Sequence, residues 1–343
     1  MNNPILRIRP LGFQWATLDP FIFCVHHNDR FPKGNAQQGP AVSLNGRQKG
    51  SDFSGKDGWS MYHGDAIPGF PGHPHKGFET ITVVRKGLVD HTDSMGASGR
   101  YGDGDVQWMT AGKGVQHAEM FPLVHEEKEN PMELFQIWLN LPAKHKHADP
   151  HYIMFWKEKL PHAEYVSPNG AKVKAEIIAG DLWGVRALNP PPKSWAAESV
   201  NAVAIWIIHC PAGASFKLPA AAKGLNRGLY FYEGKQAKIA DSEIGVGHAV
   251  DLLSESEILI TSTGPDAAFL LLQGKPIAEP TIQYGPFVMN TEAEIQQAFA
   301  EYRKTQFGGW PWPKYEMVHE KSAGRFAKYA DGKTEKQIGR AHV

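Results

Sequence analysis

Cysteine is nearly missing from this chain. Only Cys24 and Cys210 occur in 343 residues, far apart and in no CxxC pair. That pattern excludes a disulfide framework and a thiolate zinc site, and it suits a reducing cytoplasm. Charge of one sign is missing too: 36 basic and 36 acidic side chains cancel. No overall field would draw the protein to nucleic acid or anionic lipid. No run of about eighteen apolar residues occurs, and the opening MNNPILRIRP lacks the uninterrupted apolar core of a signal peptide. A soluble, unexported protein with no membrane contact is expected. No repeat with a period of about 20 to 50 residues is visible.

What is present is glycine (35), proline (25) and aromatic residues at 11%. This mixture predicts many short strands joined by turns, an all-β fold, and the length allows two domains with separate cores. From about Ala36 to Gly69 the composition predicts long loops, including a lid over a pocket. Phe78 to Val84, the turn Arg85-Lys86-Gly87 and Leu88 to Thr92 predict a hairpin. Val106 to Met109 and Glu133 to Leu141 predict further strands.

The segment from Pro142 to Pro150 is polar, basic and bracketed by prolines, as an interdomain linker would be. Beyond it, Val173–Ala179, Ala202–His209, Gly228–Glu233, Glu257–Thr263 and Ala267–Gln273 predict a second β domain. Thr291-Glu292-Ala293-Glu294 fits a capping box, and Ile295, Ala298, Phe299 and Tyr302 continue at helical spacing. The division expected is 1–141, 151–290, and a helix with a loosely held tail over 291–343.

Two short motifs carry chemistry. In Gly72-His73-Pro74-His75, residues i and i+2 of an extended chain present two imidazoles on one face. Pro74 favours that geometry by restricting the residue before it. The second motif is His117-Ala118-Glu119, another same-face pair, which follows the glycine-rich Ala111-Gly112-Lys113-Gly114. If both strands face one barrel interior, three imidazoles and a carboxylate converge on one point. That donor set suits one mononuclear Fe(II), Mn(II), Ni(II), Cu(II) or Zn(II) ion. Four protein ligands on an octahedral ion would leave two positions for water, substrate or dioxygen.

A lone HxH is weak evidence by itself. His145-Lys146-His147 has the same spacing, but its lysines and its place in the linker predict a solvated segment. Glu79 is the rival to Glu119 as fourth ligand, because strand parity puts it on the His73 and His75 face. Glu119 is preferred because it travels with His117, which leaves Glu79 as a pocket carboxylate. Gln107 and Met109 are candidate pocket-lining residues. His91, His63 and His209 lack a partner at ligand spacing and are expected to be structural.

The stretches His73 to Val84, His91-Thr92-Asp93-Ser94 and Gly104 to Glu119 resemble the pirin family. So do Gly274-Lys275-Pro276-Ile277-Ala278-Glu279-Pro280 and Tyr284 to Thr291 near the other end. The resemblance implies a bicupin, two jelly-roll barrels, with a metal in the first, typically iron, bound by His73, His75, His117 and Glu119. The second half has no HxH pair, so that barrel is expected to lack a metal.

The resemblance also implies a quercetin 2,3-dioxygenase-like oxygenase acting on a small aromatic enol and dioxygen, with Glu119 or Glu79 taking the substrate proton. The alternative it implies is a redox-sensitive regulator that binds a transcription factor or metabolic enzyme as a protein partner. The Ala36 to Gly69 segment and the tail beyond about Trp312 look longer than the family core.

Overall fold

The computed structural model describes residues 3–337. Within them the chain forms two compact units, each discontinuous in sequence. Of the described residues, one comprises 3–25, 138–140 and 158–278; the other comprises 26–137, 141–157 and 279–337.

The first unit is built on a seven-stranded and a four-stranded sheet. The Ile5–Pro10 strand pairs antiparallel with His248–Leu252, Ile8 opposite Val250, and so completes one edge of the larger sheet. Asn226–Glu233, Ala267–Gly274 and Ala204–Cys210 are its adjacent central strands. Alternate residues of these strands, among them Leu229, Phe231, Phe269, Leu271, Trp206 and Ile208, point into one core with Phe216 and Ile260 of the smaller sheet. The strands expected between residues 173 and 273 are all present, with ends within about two residues.

The second unit carries the site, and only the strands of the two sheets that form it are numbered here: β1 Phe21–Phe31, β2 Gly69–His75, β3 Phe78–Lys86, β4 Leu88–Asp93, β5 Ser98–Gly102 and β6 Val106–Thr110. After these come β7 Val115–Met120, β8 Asn130–Asn140, β9 His151–Phe155, β10 Arg325–Lys328 and β11 Thr334–Gln337. One sheet runs β9-β6-β3-β8-β1 and the other β11-β10-β5-β4-β7-β2. Their shared core includes Val84 and Met109 from the first sheet and Val89, Tyr101 and Val115 from the second.

Several expectations change here. The contiguous division 1–141 and 151–290 is not followed: Ile5–Pro10 completes the larger sheet of the other unit, and β9 pairs with β6 although it lies beyond the supposed linker. Local composition marks a turn-rich segment but not the sheet that a strand joins. Phe78 to Thr92 is no hairpin, because β3 and β4 lie in different sheets and the turn at Gly87 carries the chain between them.

The helix, α1, spans Glu292–Thr305 and has the capping box expected at Thr291 and Glu294. Its Ile295 and Ala298 pack on Phe287 and Met289. The supposed tail is not loose through residue 337. β10 and β11 form an antiparallel pair, β10 joins β5, and the Arg100 guanidinium donates to the carbonyls of His319, Glu320 and Lys321. Residues 338–343 of that segment, like residues 1 and 2, lie outside the described residues.

The Ala36–Gly69 region forms loops with a single 3-10 turn at Lys56–Gly58. It is fastened rather than free: Asp29 accepts from Ser60 N and Tyr62 Oη, and Trp59, Met61 and Tyr62 enter the core. Lys146 also departs from expectation. Its ammonium is buried and donates to the carbonyls of Gly77 and Val288, which the polar composition of its surroundings does not suggest. Among the described residues no helix is long and apolar enough to cross a membrane.

Candidate metal centre

Strands β2 and β7 pair antiparallel with His73 directly opposite His117. Residues opposed in this way share a face, and His75 joins them two positions along. The ring centroids lie 4.6 Å apart for His73 and His117, 4.7 Å for His73 and His75, and 4.9 Å for His75 and His117. One nitrogen from each ring lies within 4.8 Å of the others. The spacing argument and the fold therefore bring together the same three residues.

Burial holds all three imidazoles neutral, which a metal ligand must be. His75 and His117 are pushed well below the usual histidine range by burial and then by neighbouring histidines, and His73 is lowered to about 4. His73 Nδ1 lies 2.9 Å from the carbonyl of Pro71. A carbonyl only accepts, so Nδ1 carries the proton and Nε2 keeps its lone pair. Neither ring nitrogen of His117 has a hydrogen-bond partner, although both are buried. Buried polar atoms are rarely left this way, and a metal at the centre of the three rings would supply the missing partner. The residues present fit a mononuclear metal of the borderline, imidazole-preferring kind.

Glu119 stands beside the trio. Its Oε2 is 3.7 Å from His117 Nε2, and it lies outside the group whose donor atoms are all mutually close. Thr82 Oγ1 donates to Oε1 at 2.9 Å, Gln136 Nε2 to Oε2 at 2.7 Å, and Tyr101 Oη to Oε1 at 3.4 Å. Burial raises its pKa, and the three donors oppose that rise.

Glu79 goes elsewhere. Gly77, at φ 87°, turns the chain out of the β2 sheet, so parity counted from His75 does not carry into β3. Thr82 of β3 reaches Glu119, and Glu79, three positions earlier, is on the opposite face, where it accepts from Thr110 Oγ1 at 2.6 Å. Gln107 faces inward, its Oε1 3.4 Å from Tyr101 Oη, while its buried Nε2 has no acceptor. Met109 lies in the core of the same unit.

His91, expected to lack a partner at ligand spacing, has one in Asp93. On β4 they oppose Glu119 and His117 directly, so they share the metal-facing side; His91 Nε2 lies 3.2 Å from Asp93 Oδ2, and its ring centroid is 5.6 Å from that of His117. The same i, i+2 rule that exposed HxH would have flagged this HxD pair. Thr82, Gln136 and Tyr101 had no comparable signal, because their roles depend on which strands become neighbours. His63 is held by the carbonyl of Gly50, and His209, in the other unit, lies 3.8 Å from Glu176.

Two β units with three histidines gathered on the inner face of one define a cupin metalloprotein. Residues 9–139 match the Pirin family, and residues 205–308 match the pirin C-terminal cupin domain. A pirin-like protein of Caulobacter vibrioides is 35% identical over 243 residues, 71% of this chain and 82% of that protein. A Pseudomonas aeruginosa protein, provisionally named a quercetin 2,3-dioxygenase, is 37% identical over 250 residues, covering 70% of this chain and 80% of its own length. A crystal structure from Acinetobacter baumannii, named quercetin 2,3-dioxygenase, superposes with a TM-score of 0.70 at 25% identity, over 89% of this chain and 98% of that one. The chain belongs to the pirin family, with the bicupin fold.

Proposed function

We propose that this pirin is a metal-dependent oxygenase that cleaves flavonols or related enols, with the metal on His73, His75 and His117 and with Glu119 as fourth ligand or proton acceptor. The observation that carries the reading is the oriented carboxylate beside three neutral imidazoles. A bound divalent metal, of which iron is our choice among Fe, Mn, Ni, Cu and Zn, supplies Lewis-acid charge and exchangeable positions.

The chain's own residues do the rest. Thr82 and Gln136 fix both oxygens of Glu119, so its geometry is set before substrate arrives. Burial makes the ionised carboxylate a stronger base than an exposed glutamate, which suits removal of a flavonol 3-hydroxyl proton at Oε1 or Oε2. Gln107 Nε2, which lacks an acceptor, would donate to a substrate oxygen, and Met109 would supply apolar wall. Glu79, turned to the other face, has no part in this reading.

The names of the Pseudomonas and Acinetobacter relatives support the substrate class. Metal-loaded protein should consume quercetin aerobically and release carbon monoxide. Binding of quercetin without its consumption, by protein with one metal per chain, would refute the activity.

A further inference from the structure

Two arginines are fully buried, each 1% exposed, and they are treated very differently. Arg100 is saturated: Nε and Nη2 grip Asp90 at 2.7 and 2.8 Å, and further N–H groups reach three carbonyls and the Gln38 amide oxygen. Arg227, in the other unit, has no carboxylate at all. Its Nε donates to Gln273 Oε1 at 2.7 Å and its Nη1 to the carbonyl of Pro219 at 3.0 Å, while buried Nη2 has no partner. Burying an uncompensated cation is costly, and native structures do it where a counter-charge arrives from outside the chain. Burial, with no acidic neighbour, lowers the Arg227 pKa to about 10, so the group is charged at neutral pH.

The arginine sits where a ligand could supply that counter-charge. Arg227 lies directly opposite Gln273, and two and four positions along its strand Leu229 and Phe231 enter the core, so the guanidinium is on the inner face of its sheet. Arg227 and Gln273 line a cavity of about 390 Å³. Its walls include Leu188, Pro190, Val203 and Trp206, and the exposed rim carries Arg186, paired with Asp181, and Glu198. One buried cation beside the apolar faces of Val203 and Trp206, in a chamber of this size, fits a small ligand with one anionic end. Gln273 does not fill the gap: its oxygen accepts from Nε alone, its amide donates to Ala202 O at 3.2 Å, and Nη2 is left without a partner.

We infer that the C-terminal cupin unit binds a small organic monocarboxylate, its carboxylate accepting from Arg227 and its apolar body lying against Trp206. The site is independent of the metal centre and of the oxygenase reading.

The test is isothermal titration and thermal unfolding of the full chain with benzoate and hexanoate, against succinate, inorganic phosphate, and chloride at matched ionic strength. Benzoate or hexanoate should bind one site per chain and raise the unfolding temperature. Arg227→Met should weaken that binding at least about tenfold, the loss of a charge-assisted hydrogen bond. Gln273→Glu tests the same point without opening a cavity, since the new carboxylate would pair with Arg227 internally; it should also lose at least about tenfold while keeping the fold. His117→Ala should leave carboxylate binding unchanged. No binding of either monocarboxylate, full affinity in Gln273→Glu, equal binding of phosphate, or loss of binding in His117→Ala would each overturn the inference.

Discussion

The two units put alternating strand residues to opposite uses at the same kind of place, the inner face of a β-sheet. In the metal-bearing unit that face holds His73, His75, His117, His91, Asp93 and Glu119 among apolar neighbours. In the other unit the inner face is mostly aliphatic and aromatic, and the Arg227 and Gln273 pair is among its polar members. Both faces therefore bury groups that the chain itself leaves incomplete: imidazole nitrogens in one, a guanidinium in the other. Lone pairs ask for a cation and N–H donors ask for an anion. The comparison teaches that a duplicated architecture is specialised by which sign of partner its interior lacks.

The sharpest way to break this comparison is at His117. His117→Ala removes one of three imidazoles, and metal content by elemental analysis should fall by more than the roughly 10- to 100-fold affinity loss that outer-shell changes cause. Retention of one metal per chain would move the site elsewhere. Leu271→Ala is the counterpart in the other unit. It deletes buried side-chain volume and should cost about 2–5 kcal/mol in denaturant unfolding, with metal content unchanged.

A smaller effect separates the units by pH. His75, His117 and His27 are buried and His73 partly buried in the metal-bearing unit, all with depressed pKa values, whereas no described histidine of the other unit is buried. A depressed pKa means the stability contributed is fully present above the ordinary value of 6.5 and is lost as pH falls toward about 4 for His73 and about 3 for His27. In metal-free protein, amide exchange between pH 7 and 4 should therefore rise first in peptides of residues 26–137. Simultaneous loss of protection in both units would show that these histidines do not set the acid limit.

Much of this was legible in the sequence, for a physical reason that also marks where legibility ends. His73 with His75, and the Thr291 capping box, are local patterns, and local geometry decides them. Glu79 was misplaced because parity holds only along one uninterrupted strand, and Gly77 interrupts it. The hairpin at Gly87 and the linker at Pro142 failed in the same way, since a turn signal does not say which sheet the chain enters next. Lys146 looked solvated because charge is normally exposed, and only the carbonyls of Gly77 and Val288, brought from distant segments, make its burial tolerable. Thr82 and Gln136 are ordinary strand residues until the fold sets them beside Glu119.

The attachment of β10 and β11 to β5 has a consequence for biosynthesis. A ribosome delivers the histidines of β2 and β7 early, but residues 325–337, which finish the sheet around them, emerge only after the whole of the other unit has been translated. The other unit begins with the Ile5–Pro10 strand, yet the metal-bearing unit is completed last. Its ligands spend much of translation on an unfinished scaffold, so metal capture in the final geometry waits for residues 325–337.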